Sequence, residues 1–100
     1  MAQRYRRWLE KQGFGAMLAV GQGSHVKPRL VVLEKRPRGA KKTVVLVGKG
    51  VTFDTGGINL KSTGGLDGMK MDMAGAAAVA GTLLAMANLK PKVAVVGVLP

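Results

Sequence analysis

The chain has 100 residues, the size of one small domain, and its 16 Lys and Arg against five Asp and Glu give a formal net charge of +11. It contains no cysteine, which excludes disulfides and thiolate metal sites. No apolar run approaches the ~20 residues of a membrane-spanning helix, and no apolar signal core follows the basic N-terminus. We therefore expect a cytoplasmic protein without a membrane segment.

Six elements are predicted in chain order. The spacing of apolar residues indicates a short amphipathic helix and then, after it, three continuously apolar strands, a long helix rich in Ala, Gly, Leu and Met, and a last strand. In order, the predicted ranges are 4–12, 16–20, 29–34, 44–47, 74–89 and 93–99. The succession of strand, helix and strand over 44–99 is typical of a βαβ unit. We expect an α/β fold with a mainly parallel mixed sheet flanked by helices.

The basic charge is concentrated in residues 1–50, which carry 12 Lys and Arg against Glu10 and Glu34. Such clusters could attract nucleic acid through phosphate contacts, and a basic non-enzymatic nucleic-acid-binding module stays open as an alternative function. Stacking aromatics are not interleaved with the basic residues, which makes nucleic acid an unexpected partner. A solvated surface, or one that meets acidic surface elsewhere in a longer chain, is the simpler interpretation.

Residues 43–75 combine sparse charge with glycine. Eight glycines lie between Gly48 and Gly75, and three of the five acidic residues fall here, at positions 54, 67 and 72. Glycine allows the tight turns on which functional groups often lie at the ends of buried strands.

Two carboxylates in this segment, Asp54 and Asp72, are hard oxygen ligands that suit a divalent metal ion. Lys49 could join them only if the field of the dication removes its proton. The simpler interpretations stay open: Asp72 could cap the following helix, Asp54 could stabilise a turn, and Lys49 and Lys61 could be solvated charges.

The triplet formed by Asp54, Thr55 and Gly56 also invites comparison with dimeric aspartic proteases, in which two carboxylates share one proton. Gly57 stands where those proteins have Ser or Thr, and no later apolar-Gly-Arg segment follows. A dimeric aspartic protease is therefore the weaker alternative.

The run VGKGVTFDTGGINLKSTGGLDGMKMDMAGAAAVAGT closely resembles the metal-binding core of the leucyl (cytosol) aminopeptidase family. The likeness extends back through GAMLAVGQGS and RLVVLE and forward to VAVVGVLP, so it covers about residues 13–100. It implies a peptidase that uses two divalent ions, zinc or manganese, and a bridging water to release leucine-like N-terminal residues from peptides. It also implies a homo-oligomer, a hexamer when full length.

The resemblance assigns roles residue by residue. It implies that Lys49, Asp54 and Asp72 bind metal, with Asp54 shared between both ions, and that Lys61 is a catalytic lysine. Met69 would line the pocket for the first side chain of the substrate. His25, Asp67, Met71 and Met73 are expected to be loop or packing residues.

Departures from the family pattern lie beside this core. Ala74 stands where Gly is usual, Ser62 where Pro is common and Gly68 where Glu is frequent. The family segment NTDAEGR, which supplies two further carboxylate ligands and a catalytic arginine, has no counterpart, and neither does the family's N-terminal domain. We expect residues 1–100 to be a partial catalytic domain that has little or no activity alone.

Overall fold

The computed structural model of the chain describes residues 1–58 and 60–100. These residues form one four-stranded sheet, four α-helices and one 3-10 turn. The strands are β1 (Ala2–Tyr5), β2 (Arg29–Lys35), β3 (Thr43–Val47) and β4 (Ala94–Leu99). The helices are α1 (Arg6–Lys11), α2 (Gly15–Gly21), α3 (Thr63–Asp67) and α4 (Ala74–Asn88), with the 3-10 turn at Gly68–Met71.

The sheet has the strand order β1-β2-β4-β3. β4 runs parallel to β3, and β2 runs antiparallel to both of its neighbours, β1 and β4. The predicted α/β fold with a mixed sheet flanked by helices is confirmed. The expectation of mainly parallel pairing was wrong, since of the three strand pairs among the described residues the β3–β4 pair alone is parallel. A continuous apolar run indicates that a strand is covered, but it does not fix the direction of that strand.

The core lies between α4 and the middle of the sheet. Val79 and Leu83 of α4 are buried against Val95 of β4. Gly97 lets the helix approach closely, because a Cβ at that position would lie 2.8 Å from Cγ1 of Val79. This packing fixes the N-terminus of α4 relative to the ends of β3 and β4.

The predicted strand at residues 16–20 was wrong, because this segment lies within α2. A short apolar run cannot be assigned to a strand or a helix by periodicity alone, and Ala, Leu and Met are all strong helix formers. None of the residues of α2 is buried. The helix packs instead beside α1, where the rings of Trp8 and Phe14 lie 5.5 Å apart.

The first helix begins later than predicted, at Arg6, because Ala2–Tyr5 pairs with β2 as a strand. The long helix has nearly its predicted bounds, but the expectation that it is buried was wrong, because only Val79 and Leu83 are buried on it. Cover on both faces of β3 was also expected and is absent among the described residues, because Val45 and Val47, on one face, are 56% and 69% exposed.

One helical stretch, Thr63–Asn88, is long and apolar enough to cross a membrane by length and composition alone. It comprises α3, the 3-10 turn and α4, and its first ten residues include Asp67, Lys70 and Asp72. The uninterrupted helix, α4, has 15 residues, fewer than the ~20 that a span requires. It also packs on the sheet through Val79 and Leu83.

Candidate metal centre

The candidate residues lie where β3 ends and α4 begins. Lys49 follows β3, Asp54 lies in the loop beyond it, and Asp72 lies just before α4. Lys61 is in the loop that precedes α3, and Met69 is in the 3-10 turn. The parallel pair β3 and β4 thus ends beside the start of the helix that connects them, the arrangement in which α/β folds place functional groups.

Glycine brings the two backbones together at this point. A Cβ on Gly48 would lie 2.8 Å from the backbone N of Ala76, so only glycine fits there without a shift of backbone. The N–H of Ala76, in the first turn of α4, donates to the carbonyl of Lys49 at 2.9 Å. Because α4 has no side-chain cap, this bond satisfies one of its free N–H groups. Lys49 is therefore fixed directly beside the N-terminus of α4.

Alternating charges link four side chains. Nζ of Lys49 lies 2.7 Å from Oδ2 of Asp72 and 3.6 Å from Oδ2 of Asp54. Nζ of Lys61 lies 3.3 Å from Oδ1 of Asp54. The structure therefore brings together the three residues that the resemblance implies as metal ligands, and it places the implied catalytic lysine against one of them.

Asp72 holds an unusual carboxylate oxygen. Its Oδ2 is buried and faces the ammonium of Lys49 at 2.7 Å, with no other hydrogen-bond donor among the described residues. The helix-capping interpretation of Asp72 is not supported, because the N-cap of α4 is Met73 and no side chain caps the helix. A buried carboxylate oxygen is costly unless a cation compensates it, and Lys49 does so here. A metal ion could take the same role.

The turn interpretation of Asp54 does apply. Its Oδ1 accepts a hydrogen bond from the N–H of Gly56 at 2.7 Å. This bond, followed by the contact with Lys61, lowers the pKa of Asp54 below its ordinary value. The second oxygen, Oδ2, faces Lys49. Asp54 thus combines a turn role with an ionised carboxylate directed at the cluster.

Lys49 is held as an ammonium group in the metal-free chain. The carboxylate of Asp72 is the main cause that raises the pKa of Lys49, and Asp54 adds to it. A lysine binds metal only as the neutral amine, so a dication would have to displace this proton and replace the charge of the ammonium.

Lys61 makes contacts that sequence reasoning did not find. Its Nζ lies 3.1 Å from Sδ of Met69 and 3.3 Å from the carbonyl oxygen of Asp54. Its own N–H donates to the carbonyl of Thr55 at 3.0 Å, which closes the loop around Asp54. Spacing along the sequence could not reveal these contacts, because the conformation of the loop sets them.

The donor set suits a hard or borderline divalent ion, since carboxylate oxygens and an amine nitrogen favour such metals. The buried Oδ2 of Asp72, which already faces a cation, and the ionised carboxylate of Asp54 both fit that role. Within residues 1–58 and 60–100, no group of three or more His, Cys, Asp or Glu forms a complete metal-binding cluster. Among these residues, the candidate centre therefore offers two carboxylates, Asp54 and Asp72.

Comparisons with known proteins relate the whole chain to a single family. Residues 1–100 match the family model described as "Cytosol aminopeptidase family, catalytic domain". A probable cytosol aminopeptidase of Corynebacterium diphtheriae is 55% identical over 92 residues, which are 92% of this chain and 18% of that protein. One of Nitrosomonas eutropha is 56% identical over 93 residues, with 92% of this chain and 19% of that protein covered.

Solved structures agree with the sequence relatives. The leucine aminopeptidase of Caenorhabditis elegans matches with a TM-score of 0.90 and 34% identity over 98% of this chain and 20% of that chain. The bottromycin maturation enzyme BotP in complex with Mn matches with a TM-score of 0.89 and 45% identity over 99% of this chain and 21% of that one. The chain spans about a fifth of the length of these proteins. On the strength of the family model and these relatives, the chain belongs to the cytosol aminopeptidase family.

Proposed function

We propose that this chain carries part of the metal centre of an aminopeptidase that removes leucine-like N-terminal residues from peptides. The observation that carries the proposal is the convergence of Lys49, Asp54 and Asp72, with a buried oxygen of Asp72 that the ammonium of Lys49 compensates. Family membership supports the class of reaction.

Lys49, Asp54 and Asp72 would be the metal ligands, with Asp54 shared between two divalent ions. The two oxygens of Asp54 face different partners, Oδ1 toward Gly56 and Lys61 and Oδ2 toward Lys49, which leaves the carboxylate able to bridge. Zinc or manganese is the expected metal. The solved complex of BotP with Mn, at 45% identity to this chain, supports a divalent ion.

When bound, the metal ions supply Lewis-acid polarisation of the scissile carbonyl and make a water molecule nucleophilic. Lys61 would donate from Nζ to the oxygen that gains negative charge as the carbonyl becomes tetrahedral. One such donor typically contributes about 3–4 kcal/mol of transition-state stabilisation. Its present contact with the sulfur of Met69 is with a weak acceptor, which a developing oxyanion can replace.

Met69 would line the pocket for the first side chain of the substrate. Its thioether is apolar and adaptable, which suits bulky aliphatic residues. Because Met69 also touches Lys61, a side chain in that pocket would lie next to the catalytic donor. This arrangement supports a preference for substrates with large apolar N-terminal residues.

We also propose that residues 1–100 are a partial catalytic domain with little activity alone. The described residues offer only two carboxylates to the metal ions, and the removal of even one transition-state donor is costly. Incubation of the isolated chain with a leucyl anilide and zinc or manganese should release almost no product. Chelator-sensitive release of leucine would contradict this.

The binding of metal to the isolated chain tests the centre directly. Calorimetry with zinc or manganese should show weak binding, because three ligands must also offset the entropy of ordering their loops. Asp54→Asn and Asp72→Asn should each lower the affinity at least tenfold. Asp67→Asn is the matched control, since Asp67 is an exposed carboxylate in the same glycine-rich segment. Binding that survives both ligand variants, or that the control weakens equally, would refute the centre.

The expected partner is a peptide substrate, and the expected assembly of the full-length protein is a hexamer in the cytoplasm. The names of the relatives, cytosol aminopeptidases, support the substrate class and the location. Light scattering of the full-length protein would test the assembly, and a monomer at working concentration would contradict it.

The aspartic protease alternative gains no support from the geometry. Sharing one proton between two aspartates requires that one carboxyl stays neutral. Asp54 instead faces two ammonium groups, and its pKa is lowered rather than raised.

A further inference from the structure

Two basic segments, residues 35–42 and 90–92, lie together at the end of the sheet opposite the metal centre. β2 ends at Lys35, while β3 and β4 begin at Thr43 and Ala94. The register places Lys35 opposite Val95 and Thr43 opposite Ala94. The N–H of Ala94 donates to the carbonyl of Lys42 at 2.9 Å, which ties the two segments together. We call these eleven residues the basic edge.

The basic edge carries seven Lys and Arg and no Asp or Glu. Six of the seven residues are exposed, and the seventh, Lys35, donates from Nζ to the carbonyl of Ala87 at 3.4 Å. Arg36 is paired with Glu34 at 2.7 Å. None of the ion pairs among the described residues includes the remaining five, which are Arg38, Lys41, Lys42, Lys90 and Lys92. This positive charge is therefore largely uncompensated by the chain itself.

We propose that the basic edge binds the phosphate backbone of double-stranded nucleic acid without regard to sequence. Lys and Arg that neutralise phosphates release condensed counterions, which drives binding of this kind. The missing aromatics, which argue against the stacking of single-stranded bases, do not weaken contact with a duplex backbone. The edge spans β2, β4 and β3, a width of about 10 Å at the usual strand spacing, so several phosphates can be contacted together.

An anionic membrane surface fits the basic edge less well. Proteins that lie on membranes combine basic residues with large apolar side chains that enter the interface. The non-basic residues of the basic edge are Pro37, Gly39, Ala40 and Pro91, none of which has a large side chain suited to insertion.

Nucleic-acid binding at this edge is separate from the proposed peptidase function. β3 runs from the basic edge at Thr43 to Val47 beside the metal centre, a distance of about 15 Å at the usual rise per residue. Asp54→Ala and Asp72→Ala should therefore leave duplex binding unchanged. The two proposals can fail independently, because one is tested by metal binding and the other by binding to a duplex without metal.

Fluorescence anisotropy of the full chain with labelled probes tests the basic edge. The probes are a DNA duplex, an RNA duplex of the same sequence and the DNA single strand. Binding to vesicles of anionic lipid is measured separately by sedimentation. Duplex affinity should fall steeply with salt, with a log–log slope of about −4.5 to −6.3 if five to seven phosphates are contacted. Lys41→Gln combined with Lys42→Gln should reduce the magnitude of this slope by about 2 and weaken binding about tenfold.

The matched control is Arg7→Gln combined with Lys11→Gln, which removes the same charge from exposed positions of α1. It should weaken duplex binding no more than about twofold, as expected when only the net charge changes. Circular dichroism checks that both variants are folded. Equal losses in the two variants, salt-independent binding, no binding, or stronger binding to the single strand or to the vesicles would each overturn the proposal. A difference between the DNA and RNA duplexes identifies which polymer supplies the phosphates.

Discussion

Nζ of Lys49 lies 2.7 Å from Oδ2 of Asp72, a contact that joins the end of β3 to the start of α4 across 22 intervening residues. This ammonium is the cation that compensates a buried carboxylate oxygen with no other donor among the described residues. Charge balance in the metal-free chain thus depends on a lysine that must lose its proton before it can bind metal.

Lys49→Met should destabilise the metal-free chain, because it leaves the buried oxygen of Asp72 without a counter-ion. The further change Asp72→Leu should recover part of that loss, since removing both partners leaves no uncompensated charge. Urea unfolding of the two single variants and the double variant gives the coupling free energy. The control cycle combines Lys70→Met with Asp72→Leu, and there the two changes in unfolding free energy should add. If the free-energy changes of Lys49→Met and Asp72→Leu also added, the ion pair would contribute nothing to stability.

Gly48→Ala should lower the free energy of unfolding by about 2 kcal/mol or more, because its Cβ would meet backbone that cannot rotate away. Gly81→Ala is the control in α4, where nothing lies within 4 Å of the added Cβ. There the higher helix propensity of Ala should stabilise the chain by about 0.5–1 kcal/mol. Chemical unfolding curves measure both, and equal effects at the two glycines would contradict the close approach.

Leu83→Ala should cost about 2–5 kcal/mol, because Leu83 is 7% exposed and fills the core against β4. Its neighbour Leu84 is 71% exposed, and Leu84→Ala should change stability by about 0.5 kcal/mol or less. Thermal unfolding of the two variants provides the comparison. A large effect at Leu84 in a monomeric sample would show that the outer face of α4 is also packed.

Acid should remove part of the stability through Asp54. Its folded-state pKa lies below the ordinary value of 3.8, so ionised Asp54 stabilises the fold fully above that pH. The contribution then declines as the pH falls through 3.8 toward the lowered pKa. Urea unfolding in a chelator at several pH values should show a shallower acid dependence in Asp54→Asn than in the control Asp67→Asn. Identical dependence in both variants would show that Gly56 and Lys61 do not stabilise the charged form.

The strands at 29–34, 44–47 and 93–99 and the helix at 74–89 could be predicted from sequence, because long apolar runs bounded by Gly, Pro and charge leave few choices. β1 could not, since its residues (AQRY) carry no apolar signal and become a strand only through pairing with β2. α2 was assigned wrongly because five apolar residues fit a strand as well as a helix. The exposure of β3 depends on which elements pack against its faces, which local sequence does not encode.

The candidate site was partly predictable as well. The resemblance named Lys49, Asp54, Asp72 and Lys61 together, and the structure brings their side chains into contact, while their roles remain predictions. The bond from Gly56 to Asp54 and the contact of Met69 with Lys61 could not be predicted. Both depend on loop conformation, which no spacing rule specifies.

The position of β3 at the edge of the sheet also divides its amide hydrogens into two sets. Gly48 donates to the carbonyl of Val98 in β4, and Gly50 donates to that of Pro100 just after it, so the period of two directs the amides of Val45 and Val47 away from β4. Within the part of the chain that the structure describes, β3 has β4 as its one strand neighbour. In deuterated water, the amides of Val45 and Val47 should exchange quickly while those of Leu46 and Gly48 stay protected. A strand from another polypeptide segment that adds to this edge would slow exchange at Val45 and Val47 alone, which makes these two amides a reporter of sheet extension.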